Sequence, residues 1–441
     1  MSEANTRDAA MPSVQQERIR LLDALRGFAL LGILVLNIPF FGLPDPSFDV
    51  LTLRNEVGTI NEKLWFWVNM TLNGTQRALF SLLFGAGIIL FISRLEKRME
   101  GSMPVEYFVR RQLWLIVFGL ANVYILLWPG DILFLYGVLG IIAFVFRRLP
   151  VKALLIASVI SMLLMTVREN VDLFRKQQKI HKGEAVALID TARTPLTAVQ
   201  QEDLETMLSM KNKWDSAALS KEMVRNTERV KDGFVKAYDF LAPVGAAVEY
   251  EMVYYNLWDS LIFIFLGMAF FKSGLLTGQG KTQHYLLLAL IGWGLGLLLT
   301  YQYLRPIMEM RYNEFEVMRV RKFIFFELSR TLRSLGCFGT LMLLYKARIF
   351  HGLFRLLEPV GQMAFTNYLS QSVICNIYFM GFGMMGRLQR YEIYYVVVAV
   401  WIFQIIFSHL WLRHFRYGPL EWCWRSLTYW KRLPLRKALP V

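Results

Sequence analysis

Residues 21–43, LLDALRGFALLGILVLNIPFFGL, decide the class of this chain. The run is long enough to cross about 30 Å of hydrocarbon as one helix, yet it carries Arg26 and Asn37. Eleven steps of about 100° bring these two side chains back to nearly one face, roughly 16 Å apart along the axis. Arg26 then sits near one membrane surface and Asn37 beyond the midplane, at depths where polar groups are expensive and mark candidate functional positions.

Composition agrees with that reading. Of 441 residues 55% are hydrophobic, with 33 Phe and 12 Trp, and the mean hydropathy is +0.37. Such a chain is a multi-pass membrane protein, and its first partner is the lipid bilayer. The formal charge of +15 invites a nucleic-acid reading. The Lys and Arg residues cluster beside apolar runs, however, where topology and anionic headgroups account for them, and no nucleic-acid motif competes. Cys337, Cys375 and Cys423 are odd in number and absent from the large polar segment, which argues against a disulfide framework. Residues 1–19 read as a flexible cytoplasmic N-terminus. No small-residue cleavage site follows the first apolar run, so that run reads as an uncleaved anchor.

Further apolar runs lie at 65–92, 112–129, 131–146, 151–167, 252–271, 285–303, 323–345, 361–381 and 392–412. The expected fold is all-α, a multi-pass membrane helical bundle of about ten transmembrane helices with a small helical extracytoplasmic insertion. Residues 20–167 form the first half of five helices, 168–250 the insertion, 251–412 the second half, and 413–441 a basic, Trp-rich cytoplasmic tail. The third and fourth spans meet at WPGD (128–131), where Pro129 and Gly130 break the helix and Asp131 can cap the next.

Lys and Arg are enriched on the cytoplasmic side of membrane proteins. Arg18, Arg20, Arg94, Lys97, Arg98, Arg110, Arg111, Arg147, Arg148 and Lys152 fall on one side, as do Lys346, Arg348, Arg355 and the basic tail. Both termini are therefore expected in the cytoplasm. The connection 304–322 disagrees, because Arg305, Arg311, Arg319, Arg321 and Lys322 fall on the outer side, where they could line a basic vestibule. In 168–250, Thr194-Pro195 and Asp215-Ser216 signal helix starts, and Leu219, Met223, Val230 and Phe234 share a face of the second helix.

The polar groups inside the spans are the candidate site. Arg26 presents a fork of donors suited to phosphate or carboxylate, or it pairs with Asp23 at (i, i+3) and snorkels. Asn37 can orient a ligand or bridge helices but cannot act as a base. In TQRALFSLLFGAG (75–87), Arg77 and Ser81 stand at (i, i+4), and Asp259 is a candidate counter-ion for Arg77. Tyr136 joins this ligand-binding set, as does Asp131 if it is more than a cap. In FELSRTLRSLG (326–336), Glu327, Arg330, Thr331 and Ser334 form one stripe with Arg333 at its flank. Lipid cannot accommodate that stripe, so it faces the bundle interior or a wet cavity. Asn367, Ser370 and Gln371 add a second polar face, as ligand contacts or as interhelical glue. His181, His284, His351, His409 and His414 all lie outside the membrane core and its outer half, which leaves no histidine base there and supports no His/Cys metal cluster.

LDALRGFALLGILVLN (22–37), LFSLLFGAG (79–87), PGDILFLYGVLG (129–140), GQMAFTNYLSQS (361–372) and YGPLEWCWRSLTYWKRLPLR (417–436) together resemble the YeiB family of bacterial inner-membrane proteins. That family is defined by a domain of unknown function, and the resemblance runs from about residue 18 to 437. The first helix also resembles transmembrane acyltransferases, including the acyltransferase-three group and the heparan-alpha-glucosaminide N-acetyltransferase type. The resemblance to the former implies an arginine at Arg26 and, after ten intervening residues, a histidine, where this chain has Asn37. In the latter type an asparagine at this part of the helix is accompanied by a nearby histidine, which residues 38–75 lack.

The reading is a bundle whose first, second, fourth, eighth and ninth spans enclose a polar cavity for an anionic, acyl-bearing small molecule or lipid, with acyl-coenzyme A as the candidate cofactor. Arg26, Arg77 and Arg330 attract the anion, Asn37, Asn367 and Gln371 orient it, and Glu327 is the one substitute acid or base if transfer occurs. The alternatives are a proton-coupled transporter of a small anion, with Glu327 as proton carrier, and a non-catalytic partner or sensor. A homo-oligomer is compatible with each.

Overall fold

The computed structural model describes residues 19–190, 192–231, 233–255 and 257–437, and among these residues no β-strand occurs. Helix α1, Arg20–Gly42, is buried over most of its surface, as a central span with apolar residues on every face should be. The second apolar run is two helices, α2 (Ile60–Thr71) and α3 (Thr75–Arg98). They part at Gly74, whose φ is +73° and whose missing Cβ would stand 2.2 Å from Arg330 Cδ. Glycine alone meets both demands comfortably.

Helix α4 is Met103–Tyr124 and α5 is Leu133–Phe144. With 12 residues, α5 rises only about 18 Å, less than the hydrocarbon thickness. Helix α6, Val151–Ala187, continues 20 residues past the expected end of its apolar run. Then come α7 (Ala198–Asn212), α8 (Ser216–Lys231), α9 (Phe234–Tyr255) and α10 (Leu257–Lys272). Helices α11 (Thr282–Glu309), α12 (Glu314–Val320), α13 (Phe326–Lys346), α14 (His351–Gln362), α15 (Ala364–Asn376), α16 (Arg390–His414) and α17 (Pro419–Tyr429) complete the chain.

Five helical segments among the described residues are long and apolar enough to cross a membrane: Arg20–Gly42, Ile60–Arg98, Val151–Ala187, Thr282–Glu309 and Arg390–His414. A sixth arises if α9 and α10, bent by 58° at their junction, count as one. The other runs that suggested spans are shorter, as in α5, or more polar, as in α13 with Glu327, Arg330 and Arg333.

The polar insertion folds as helices, with two shifts from expectation. The first cap is Thr197, in a capping box with Gln200, and not Thr194. Asp215 caps the next helix, accepting from Ala218 N at 2.9 Å. Leu219 and Val230 are buried, whereas Phe234 begins α9 and is 63% exposed. The connection after α11 forms no basic vestibule from Arg305, Arg319 and Arg321. Arg305 pairs with Glu309, Arg319 with Glu316 and Glu184, and buried Arg321 donates to Tyr303 O at 2.9 Å. The 43–59 loop is pinned to α16 by the buried pair Arg390 Nε to Glu56 Oε2, 2.6 Å.

Small residues let helix backbones touch. A Cβ on Gly267 of α10 would come within 1.8 Å of Leu82 O in α3, and one on Gly85 within 2.2 Å of Ile264 O. Gly361 of α14 fits against Asp23 O of α1 in the same way, at 1.7 Å. Such contacts supply close packing where lipid offers no hydrophobic drive between helices. Gly267→Val should therefore lower stability by about 2 kcal/mol or more. Gly294→Val, which meets open space, should change it little; thermal unfolding of both purified variants checks the contrast.

Candidate functional site

Two polar systems occupy the bundle. The first is a chain of buried charges joining α3, α10 and α13. Asp259 Oδ2 accepts from Arg77 Nη2 and, at 3.0 Å, from Arg330 Nη1; Arg330 Nη2 reaches Glu327 Oε2 at 2.5 Å. Asp259, Glu327 and Arg330 are each at most 3% exposed. One carboxylate thus serves two guanidinium groups, and a helical turn of α13 supplies the second carboxylate. Arg333, also buried, donates to Thr75 Oγ1 at 3.3 Å. Ser334 turns back on its own helix, bonding Arg330 O at 2.7 Å.

The second system is a cavity of about 280 Å³. Residues of α3 from Phe80 to Arg98 line it, about 27 Å of helix at 1.5 Å per residue. Arg26, Arg94, Arg98, Arg111 and Arg425 line its basic end, and Phe80, Phe84, Phe108, Leu115, Leu133 and Phe365 its apolar wall. The Arg111 guanidinium lies 3.6 Å from the centre of the Trp424 ring and 5.0 Å from that of Phe91. Stacking between aromatic faces holds the group in place while leaving its edge free for hydrogen bonding. A smaller cavity of about 110 Å³ shares Arg26, Arg94 and Arg425 and adds Asp23.

The cavity floor meets the charge chain. Tyr136 lines the cavity, and its hydroxyl lies 2.7 Å from Ser81 Oγ, which itself donates to Arg77 O at 3.0 Å. One turn of α3 therefore serves both systems. The tail forms the opposite wall. Glu421 of α17 accepts from the backbone N–H groups of Phe365 and Thr366, at 2.7 and 3.0 Å, and from Thr366 Oγ1. It caps α15 from outside that helix. Burial pushes its carboxyl above the usual range, against the opposing pull of these hydrogen bonds.

The structure thus separates residues that were expected around one cavity. Arg26, Tyr136 and Asp23 line the two cavities, with Arg26 also paired to Asp23 at 3.0 Å. Arg77, Arg330 and Glu327 join Asp259 in the charge chain, Arg333 lies beside it on Thr75, and span eight, now α13, contributes no lining residue to the principal cavity. The cause is Asp259, which draws the arginines toward α10. Asn37 is half-buried and lies outside the cavity lining. Asn367 donates to Val360 O and Ser408 Oγ, and Gln371 to Gln404 Oε1, so both join α15 to its neighbours. Asp131 caps α5 through Phe134 N at 2.9 Å and accepts from Asn122 at 2.8 Å.

Arg111, Arg425 and Glu421 were not read as site residues. Arg111 stacks on Trp424 across 313 positions and Arg425 reaches the cavity only when the tail folds back, which no local pattern reveals. Glu421 did carry a signal, as a lone acid within a basic, Trp-rich stretch. Among the described residues no cluster of three His, Cys, Asp or Glu side chains could hold a metal ion.

A helical protein with several membrane-length apolar helices and an arginine-lined internal cavity is the class these features define. Residues 270–431 match the family described as "Protein of unknown function (DUF418)". The chain is 29% identical to the uncharacterized protein YxaH of Bacillus subtilis, covering 98% of this chain and 99% of that one. It is 28% identical to the uncharacterized protein YeiB of Escherichia coli, covering 93% and 96%. Residues 270–431 thus match a domain of unknown function, and nearly the whole chain is similar to YxaH and YeiB. No solved structure matches it.

The charge chain makes a stability prediction. Asp259→Ala leaves Arg77 without its carboxylate and Arg330 with only Glu327, and should cost about 3–5 kcal/mol. The paired replacement Arg77→Met with Asp259→Leu should recover part of that loss relative to Asp259→Ala alone. Unfolding midpoints of the variants in detergent check the order.

Proposed function

We propose that this protein binds an anionic amphiphile, a phosphate- or carboxylate-bearing head with an acyl tail, within the bacterial inner membrane. One observation carries the reading: one cavity is lined by five arginines together with a largely apolar and aromatic wall. Guanidinium groups suit a phosphate or carboxylate head, and the apolar and aromatic stretch Phe80–Phe91, about 16 Å of helix, suits a chain. Acyl-coenzyme A and acyl phospholipids have this chemistry.

The proposed topology follows from the same arginines. Arg94, Arg98, Arg111 and Arg425 lie at the end that the distribution of Lys and Arg assigns to the cytoplasm. Both termini are then cytoplasmic, the 168–250 helices face outward, and the shorter helices complete a bundle of about ten membrane elements. The head would bind at the inner leaflet with the tail directed toward Tyr136.

Binding is favoured over acyl transfer. Glu327, the proposed acid or base, is held by Arg330 and lies outside the cavity lining, while Glu421 within the lining is engaged as a helix cap. The contact of Tyr136 with Ser81 supports a second reading, in which the occupied cavity acts on the charge chain during transport.

Trp424 lines the cavity, so its fluorescence reports occupancy. Protein in nanodiscs should bind palmitoyl-coenzyme A and oleoyl lysophosphatidate, but not the uncharged monoacylglycerol. Arg111→Gln should weaken the anionic probes by about 10- to 100-fold, the equivalent of a charge-assisted hydrogen bond. Equal binding of the neutral lipid, or unchanged affinity in Arg111→Gln, would contradict the reading.

A further inference from the structure

A second group of buried polar atoms lies behind the cavity wall, at the turn between α4 and α5. Asp131 and Asn122 are fully buried there, and Glu249 of α9 is 6% exposed. Gly245 places α9 against this turn: a Cβ on it would lie 2.5 Å from Val123 Cγ1 and 3.9 Å from Pro129 Cα. Glu249 follows one helical turn later on the same face, where Asp131 is its charged neighbour.

Among the described residues the two carboxylates have no paired cation. Both carboxyl oxygens of Glu249 are without a hydrogen-bond partner, and so is Asn122 Oδ1. Asn122 provides an observation independent of the acids. Its Nδ2 donates to Asp131 at 2.8 Å, so the amide is aimed into the group while its oxygen is left without a donor. Three buried acceptors with no donor are costly, and two ionised carboxylates in such a place repel one another without relief. One proton removes a negative charge and supplies a donor.

We infer that Asp131 and Glu249 form a buried dyad that holds one exchangeable proton beside the ligand cavity. Asn122 from α4 and Tyr368 from α15 complete its surroundings, and Tyr368 is the titratable side chain that α15 presents to it. Of the charged groups on the other helices packed against α9, Asp259 of α10 is engaged by Arg77 and Arg330. Arg229 of α8 stacks on Phe240 at 5.6 Å, nine residues and about 14 Å of helix before Glu249. Helix α5 contributes only Tyr136 as a titratable side chain, and that group is bound to Ser81.

The dyad and the cavity share a wall. Tyr368 and Ile132 line the cavity, and Ile132 N donates to Tyr368 Oη at 3.2 Å. An anion in the cavity favours a positive charge nearby, so its binding draws a proton onto the dyad, and the proton in turn favours the anion. This linkage rests on the reading of the cavity as a ligand site; the dyad itself does not. Two carboxylates and one amide are few ligands for a metal ion, and a proton needs no more.

Infrared difference spectroscopy of the full chain in nanodiscs tests the dyad. Wild type should show a protonated-carboxyl C=O band at neutral pH that disappears as pH rises, and Glu249→Gln or Asp131→Asn should remove or displace it. If either isosteric variant fails to yield monodisperse protein, the wild-type titration and the other variant decide. Absence of the band, or a band unchanged in both variants, overturns the dyad. Loss of the band on adding sodium chloride at constant pH overturns it as well, because the occupant would then be a metal ion. Calorimetry with palmitoyl-coenzyme A in buffers of different ionisation enthalpy tests the linkage, with proton uptake expected in wild type and none in Glu249→Gln. Equal uptake in both overturns the linkage. A present band with no palmitoyl-coenzyme A binding overturns the cavity reading and leaves the dyad standing.

Discussion

Asp259 holds two arginines from two other helices inside an apolar bundle. Removing the carboxylate from such a pair would cost several kcal/mol, so the positions of α3, α10 and α13 are set together. The chain Arg77, Asp259, Arg330, Glu327 brings the break at Gly74 against Arg330 and fixes the turn of α3 that carries Ser81. Tyr136 then meets that turn, and the floor of the cavity follows.

Much of the all-helical character was legible from local pattern. Apolar runs, the WPGD turn and the Asp215 cap each use interactions within a few residues, and each has its counterpart in the fold. Helix lengths were less legible. Gly74 splits one apolar run because Arg330, distant in sequence, occupies the space a side chain would need. Helix α6 extends past its apolar run because Gln177 bonds Met318 O and Arg321 O, contacts visible only once α12 is in place.

The candidate site divides along the same line. That the Glu327 stripe is buried follows from the cost of charge in lipid; Asp259 was one candidate counter-ion for Arg77, and only the fold pairs them. Which polar groups face a cavity could not be read in that way. Asn367 and Gln371 read either as ligand contacts or as interhelical glue, and their bonds to Ser408 and Gln404 on α16 decide for the second. Arg111 and Arg425 look like topology signals until the tail folds back. Glu421 caps α15, and Trp424 stacks on Arg111, so residues at the end of the chain complete a wall begun by Arg26.

The central claim is that this wall encloses a place for an anionic head and its tail. Cryo-electron microscopy of the protein, purified without delipidation into nanodiscs, tests it most directly. The expected result is elongated density with its head among Arg26, Arg111 and Arg425 and its tail directed toward Tyr136. A cavity closed by its own side chains, or density whose polar end lies away from these arginines, would contradict it.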